Sequence, residues 1–107
     1  MDNLVLLEQV KQKLNITWED ADTNALVKNI INSAIPTLKK KLGIVGDFDF
    51  SVEGQENLLF KNYCLYEYNH SANEFDDNYS NEIAQVRAEH EVNNYLAENG
   101  GDLDAES

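Results

Sequence analysis

The stretch Ala21-Asp-Thr-Asn-Ala-Leu-Val-Lys-Asn-Ile-Ile-Asn-Ser-Ala-Ile-Pro-Thr-Leu-Lys-Lys-Lys-Leu42 decides how the rest of the chain is read. Leu26, Val27, Ile30, Ile31, Ala34, Ile35, Leu38 and Leu42 recur at helical spacing and form one apolar face. Glu19, Asp20 and Asp22 stand at its start, where carboxylates stabilise the unpaired N–H groups of a first turn. Lys39, Lys40 and Lys41 fill its last turn, and Gly43 follows as a left-handed terminator. All these signals agree on one helix over residues 21–42. Pro36 interrupts it: the ring removes one N–H and crowds the carbonyl of Asn32. The apolar pattern continues in phase beyond it, which predicts a kink; two short helices meeting near residues 33–35 are the alternative.

Upstream, Leu6, Leu7, Val10 and Leu14 predict a first helix over about residues 3–14, with Lys11 and Lys13 at its negative end. Downstream, residues 44–54 lack helical period. Phe48, Phe50 and Val52 alternate with acids and serine, which predicts a loop or at most a short strand. Residues 55–71 read as a third helix, apolar on more than one face and therefore central. Residues 72–74 are a short break. Phe75, Tyr79, Ile83, Val86 and His90, at spacings of 4, 4, 3 and 4, predict a fourth helix over about residues 75–96. Asn99-Gly100-Gly101 is expected to stop it.

The resulting expectation is an all-α protein. It is a small bundle of about four helices over residues 1–97, with a longer loop between the second and third. A mobile acidic tail over residues 98–107 completes it.

Charge divides the chain unevenly. Of the net −12, residues 1–42 carry +1 and residues 43–107 carry −13. So acidic a surface repels phosphate backbones and disfavours specific nucleic-acid binding. No apolar run reaches the roughly 18 residues that a membrane span needs. The first residues lack the basic and apolar regions of a signal peptide, so a cytoplasmic protein is expected. The single cysteine, Cys64, lies in the apolar run 58–68 and reads as a core thiol.

Motifs for chemistry fail one by one, and no enzyme, metal or cofactor is expected. Glu67-x-x-His70 occurs once, whereas a helical di-metal carboxylate site needs the motif twice. Asp47-Phe-Asp49-Phe-Ser51 has the start of a calcium loop. Its sixth and twelfth positions, however, hold Val52 and Leu58 where glycine and glutamate are required. His90 sits within the fourth helix's stripe as a partly buried residue. What remains is aromatic surface. Phe48, Phe50, Tyr63, Tyr66, Tyr68, Phe75 and Tyr79 cluster together, and Tyr95 adjoins Val92 and Leu96. Tyrosines pointing several ways around one helix exceed what one small core uses, so these eight are candidate interface residues.

Three segments carry a resemblance: Leu6-Leu-Glu-Gln-Val-Lys-Gln-Lys-Leu-Asn-Ile16; Glu19-Asp-Ala-Asp22 followed by Leu26-Val-x-x-Ile-Ile-x-x-Ala-Ile35; and Tyr68-Asn-His-Ser-Ala-Asn-Glu-Phe-Asp-Asp-Asn-Tyr-Ser-Asn-Glu-Ile83. Over roughly residues 4–95 the chain resembles the head–tail connector (head completion) proteins of tailed bacteriophages; Pro36 departs from their pattern. The resemblance implies a structural protein without cofactor, made in the host cytoplasm and placed at the head–tail junction of the virion or prophage particle. It implies a homo-oligomeric ring, monomeric before assembly, with the portal protein and a stopper or tail-completion protein as partners. The residues alone also admit a small acidic regulatory module, such as a DNA mimic that blocks a basic protein.

Overall fold

A computed structural model describes residues 4–106, with side chains described for residues 4–97. Five helices follow in order: α1 (Leu4–Lys13), α2 (Ala21–Leu42), α3 (Gln55–Tyr68), α4 (Phe75–Asn78) and α5 (Ser80–Glu106), with a single 3₁₀ turn, Ala72–Glu74, between α3 and α4. Among the described residues there is no strand, so residues 44–54 are loop.

α2 is the organising element, and its ends are chemically defined. Asp20, in extended conformation, accepts a hydrogen bond from the Thr23 backbone N–H at 3.0 Å. This occupies one of the four donors that a helix start leaves without partners. Gly43 closes the other end at φ 67°, where a side chain is disfavoured. A Cβ at Gly43 would also lie 3.3 Å from Arg87 Cγ, so α5 passes close over this terminus.

Pro36 breaks nothing. The helix is continuous through it, as one element and not two. Pro36 and Asn32 are both exposed, so the carbonyl that loses its N–H partner is on the solvent side. One residue on, Thr37 Oγ1 donates to the Ser33 carbonyl at 3.0 Å.

Three helices and a loop make the centre of the core, to which α4 and α5 add Phe75 and Val86. Val27, Ile31, Ala34, Leu38 and Leu42 of α2 meet Leu6, Leu7 and Val10 of α1 and Leu59, Phe60 and Cys64 of α3. Ile44 and Phe50 bring the loop into the same cluster, with the Phe50 ring stacked on Phe60 at 4.7 Å between centroids. The loop is stitched by a buried amide. Asn57 Nδ2 donates to the Phe50 carbonyl at 2.7 Å and to Gln9 Oε1 at 2.9 Å, while Gln9 Nε2 donates to the Ser51 carbonyl at 3.0 Å. Because α1, the loop and α3 share this network, the loop's length serves packing.

The fourth predicted helix is in fact two. α4 ends at Asn78, and Tyr79 (φ −120°, ψ 21°) separates it from α5. The helical hydrogen bonds survive on either side, from Tyr79 N–H to the Phe75 carbonyl and from Ile83 N–H to the Tyr79 carbonyl, both at 2.9 Å. The apolar phase therefore carries across the joint. At the far end, α5 runs past the Asn99-Gly100-Gly101 stop expected from the sequence, to Glu106. The expected mobile tail over 98–107 falls on residues whose side chains lie outside the described set.

Candidate interaction surface

The residues singled out for chemistry are occupied structurally. Cys64 is fully buried on α3, and burial, reinforced by the negative charge of Glu67, pushes its thiol up to about 12. A thiol in that state is not a nucleophile near neutral pH. His70 is exposed at φ 59° on the turn after α3. His90 bridges helices: its Nε2 lies 2.9 Å from Glu56 Oε2 of α3, and its ring meets the Phe48 ring edge-on at 5.6 Å. In the loop that opened like a calcium site, Asp49 Oδ1 accepts from the Ser51 backbone N–H at 2.9 Å and also from its hydroxyl. These bonds hold the Asp49 carboxyl below its ordinary range. Among the described residues no group of three His, Cys, Asp or Glu side chains is placed to hold a metal ion. Nor is any helix there long and apolar enough to cross a membrane.

The eight aromatic candidates divide sharply. Phe50, Tyr63 and Phe75 are buried in the core, so they build the fold and cannot meet a partner without unpacking it. The 3₁₀ turn and α4 fold back over α3 and press Phe75 between Tyr63 and Tyr66, edge-on at 5.1 and 5.7 Å, while Tyr79 stacks on Phe75 at 4.9 Å. Burial raises the phenol of Tyr63, with Glu67 adding to it, and burial likewise raises that of Tyr79, with Tyr66 adding to it. Phe48, Tyr66, Tyr68 and Tyr79 are partly buried against the same core. Tyr95 alone of the eight is largely exposed, at 60%.

The outward apolar surface lies elsewhere. On α5 it comprises Val92, Tyr95 and Leu96; on α2 it is Leu26; on α1 it is Leu4 and Val5. Trp18, Val45, Val52 and Leu58 add single exposed side chains. Leu26 looked from the sequence like part of the α2 core face, but it lies on that face's edge and is 49% exposed.

Sequence reasoning missed the charged pairs, Lys41 Nζ with Asp76 Oδ1 at 2.8 Å among them, and above all one with a buried cation. Lys11, whose side chain is only 4% exposed, reaches Glu19 Oε1 at 3.1 Å. Bonds from Asn24 and Lys11 hold the Glu19 carboxyl below its ordinary range. The available signal was Lys11 itself: it follows Val10 on the apolar side of a short helix, where a lysine buries its stem and needs a partner for its head.

The described residues thus form a small helical protein with a buried thiol, a histidine engaged between helices and apolar side chains on the outer faces of separate helices. The chain belongs to the phage gp6-like head–tail connector protein family, whose model matches residues 5–99. Searches of curated proteins and of solved structures returned no match.

Proposed function

We propose that this chain is the subunit of a multi-copy ring between the portal and the tail of a phage or prophage particle. The observation that carries the reading is the family match, which spans α1 to α5. The subunit is made in the host cytoplasm, stays monomeric until it meets the portal, and then presents a docking surface to the stopper or tail-completion protein. Residues 43–107, with their net −13, face the DNA channel or the tail side. Like charge keeps the passing phosphate backbone from adhering there. Residues 1–42 supply packing and neighbour contacts.

The test is to mix the purified chain with portal rings from the same phage genome and follow particle mass and negative-stain images. The expected result is a discrete added ring on the portal. Absence of portal binding and of rings under every condition tried would end the proposal.

A further inference from the structure

We infer that subunits join by seating a ridge near the far end of α5 on one copy in the hollow between α2 and the base of α5 on the next. This rests on the ring reading above and names its contact surfaces.

Both halves of the contact lie along one helix. Glu89, Val92 and Leu96 are exposed and follow one another at spacings of 3 and 4, so they form one ridge. Val92 is 57% exposed and Leu96 45%. Ser80, Ile83, Ala84 and Arg87 of α5 line a shallow hollow, which Lys41 of α2 and Asp76 of α4 complete. At about 100° per residue, the ridge and the α5 wall of the hollow are roughly 160° apart around the helix. Their centres are about 13 Å apart along it. A ridge and a hollow on opposite sides of a helix cannot both be filled by one partner copy. Each copy therefore gives its ridge to one neighbour and its hollow to another. Such a contact between unlike surfaces closes into a ring when the rotation per subunit fits.

The two surfaces also match in chemistry. Ile83 and Ala84 give the hollow an apolar floor. Ser80 and Ala84 are small and exposed, so a second helix can approach closely and set Val92 and Leu96 against that floor. Lys41 is held by Asp76 at 2.8 Å. Arg87 makes only long contacts, 3.7 Å from Nε to Glu91 Oε2 and 3.4 Å from Nη1 to the Lys41 carbonyl. Most of its five N–H donors are thus open to a further carboxylate, and Glu89 on the ridge supplies one. Other seats on this chain are worse for the ridge. Against itself it sets Glu89 beside its duplicate. The exposed Leu4 and Val5 stand with the exposed acid Glu8, Leu26 shares its side of α2 with exposed Asp22, and Trp18 is followed by exposed Glu19 and Asp20.

The experiment assembles the full chain on portal rings and applies a mild oxidant. Val92→Cys/Ala84→Cys should give a ladder of disulfide-linked multimers on a non-reducing gel. Val92→Cys alone and Ala84→Cys alone should give none beyond wild type, and Cys64 is buried and takes no part. Independently, Val92→Asp puts a charge against the apolar floor and lowers ring yield roughly tenfold or more. Adding Ala84→Lys to it restores assembly. Both positions are exposed, so all variants melt like the wild type. Rings of the double-cysteine variant without a ladder, or Val92→Asp rings at wild-type yield, would overturn the contact and leave the ring reading intact. Linked pairs from Val92→Cys alone would mean that ridges meet each other, which also rejects it. Loss of portal binding by Val92→Asp with self-association retained would give the ridge to the portal instead of a second copy. A wild-type chain that never forms multi-copy species would remove the ring reading and this inference with it.

Discussion

The two long helices of this small protein are built to opposite plans. α2 sends Val27, Ile31, Ala34, Leu38 and Leu42 into the core and is closed at both ends by dedicated residues. α5, the longer helix, contributes Val86 as its one fully buried apolar residue among those described, with Ile83 packed at the margin. The remainder of its attachment is polar: Glu56 to His90, Asn94 Nδ2 to the Gly43 carbonyl at 3.0 Å, and Arg87 Nη1 to the Lys41 carbonyl at 3.4 Å. Apolar burial is non-directional and scales with area, so α2 carries stability. Polar contacts contribute little net free energy but fix a geometry, so α5 is aimed more than it is anchored.

The largest expected effect tests this division directly. Leu38→Ala removes a fully buried side chain from the centre of α2, at a cost of about 3 kcal/mol and a fall in melting temperature of roughly 15 °C. Ile83→Ala on α5, at the core's margin, costs about 1 kcal/mol or less. Urea denaturation of both variants gives the ranking. Equal losses would show that α5 is a core helix, and the contrast would collapse.

Cys64 supplies the next effect, on the α2 side of the comparison. The unfolded thiol ionises near its ordinary value of 9.0, whereas the buried thiol holds its proton up to about 12. The folded pKa is raised, so stability is fully present below pH 9. Between pH 9 and 12 the unfolded chain binds fewer protons than the folded one. Stability therefore falls as pH rises, by at most about 1.4 kcal/mol per pH unit from this group. The raised phenols of Tyr63 and Tyr79 act in the same direction at higher pH. Urea midpoints of wild type and Cys64→Ala between pH 8 and 10.5 should converge as pH rises, because the variant has lost the most alkali-sensitive group. Parallel curves would mean that Cys64 is not sealed in the folded state.

How much of this was legible in the sequence follows the same division. The bounds of α2 could be read to the residue, because Asp20 and Gly43 act on the helix from its own ends and need no tertiary partner. The all-helical class followed from the 3.6-residue period. The burial of Phe50 and Phe75 was not legible. Phe50 sits in a segment without period and is drawn in by the Asn57 amide, seven residues away in sequence. Phe75 depends on a 3₁₀ turn folding back over α3. The aromatic surplus that suggested an interface was therefore largely the material of a second packing layer. The joint at Tyr79 was hidden because the helical bonds on both sides preserve the 4, 4, 3, 4 spacing. Of the eight candidate interface residues, Tyr95 kept most of its exposure, and its helical neighbour Val92 was visible in the sequence as part of the same patch.

The smallest expected effect sharpens the contrast most. His90 and Glu56 are 2.9 Å apart, with side chains 15% and 24% exposed, and they join the middle of α5 to the first turn of α3. Glu56→Ala removes that tie without opening a hole in the core, since neither residue belongs to the apolar cluster. The free energy involved is about 1 kcal/mol, which corresponds to a roughly fivefold change in an opening equilibrium. If α5 is held in place by such ties, the loss appears locally. Hydrogen exchange at amides of residues 87–95 should accelerate about fivefold, while the buried amides of α2 around Ile31 and Leu38 keep their wild-type rates. If all amides accelerate together, α5 opens only when the whole domain does, and it is an integral part of the core. A local response would show that the outer half of α5 can adjust its angle on the body of the protein, with α2 as the fixed reference from which that angle is set.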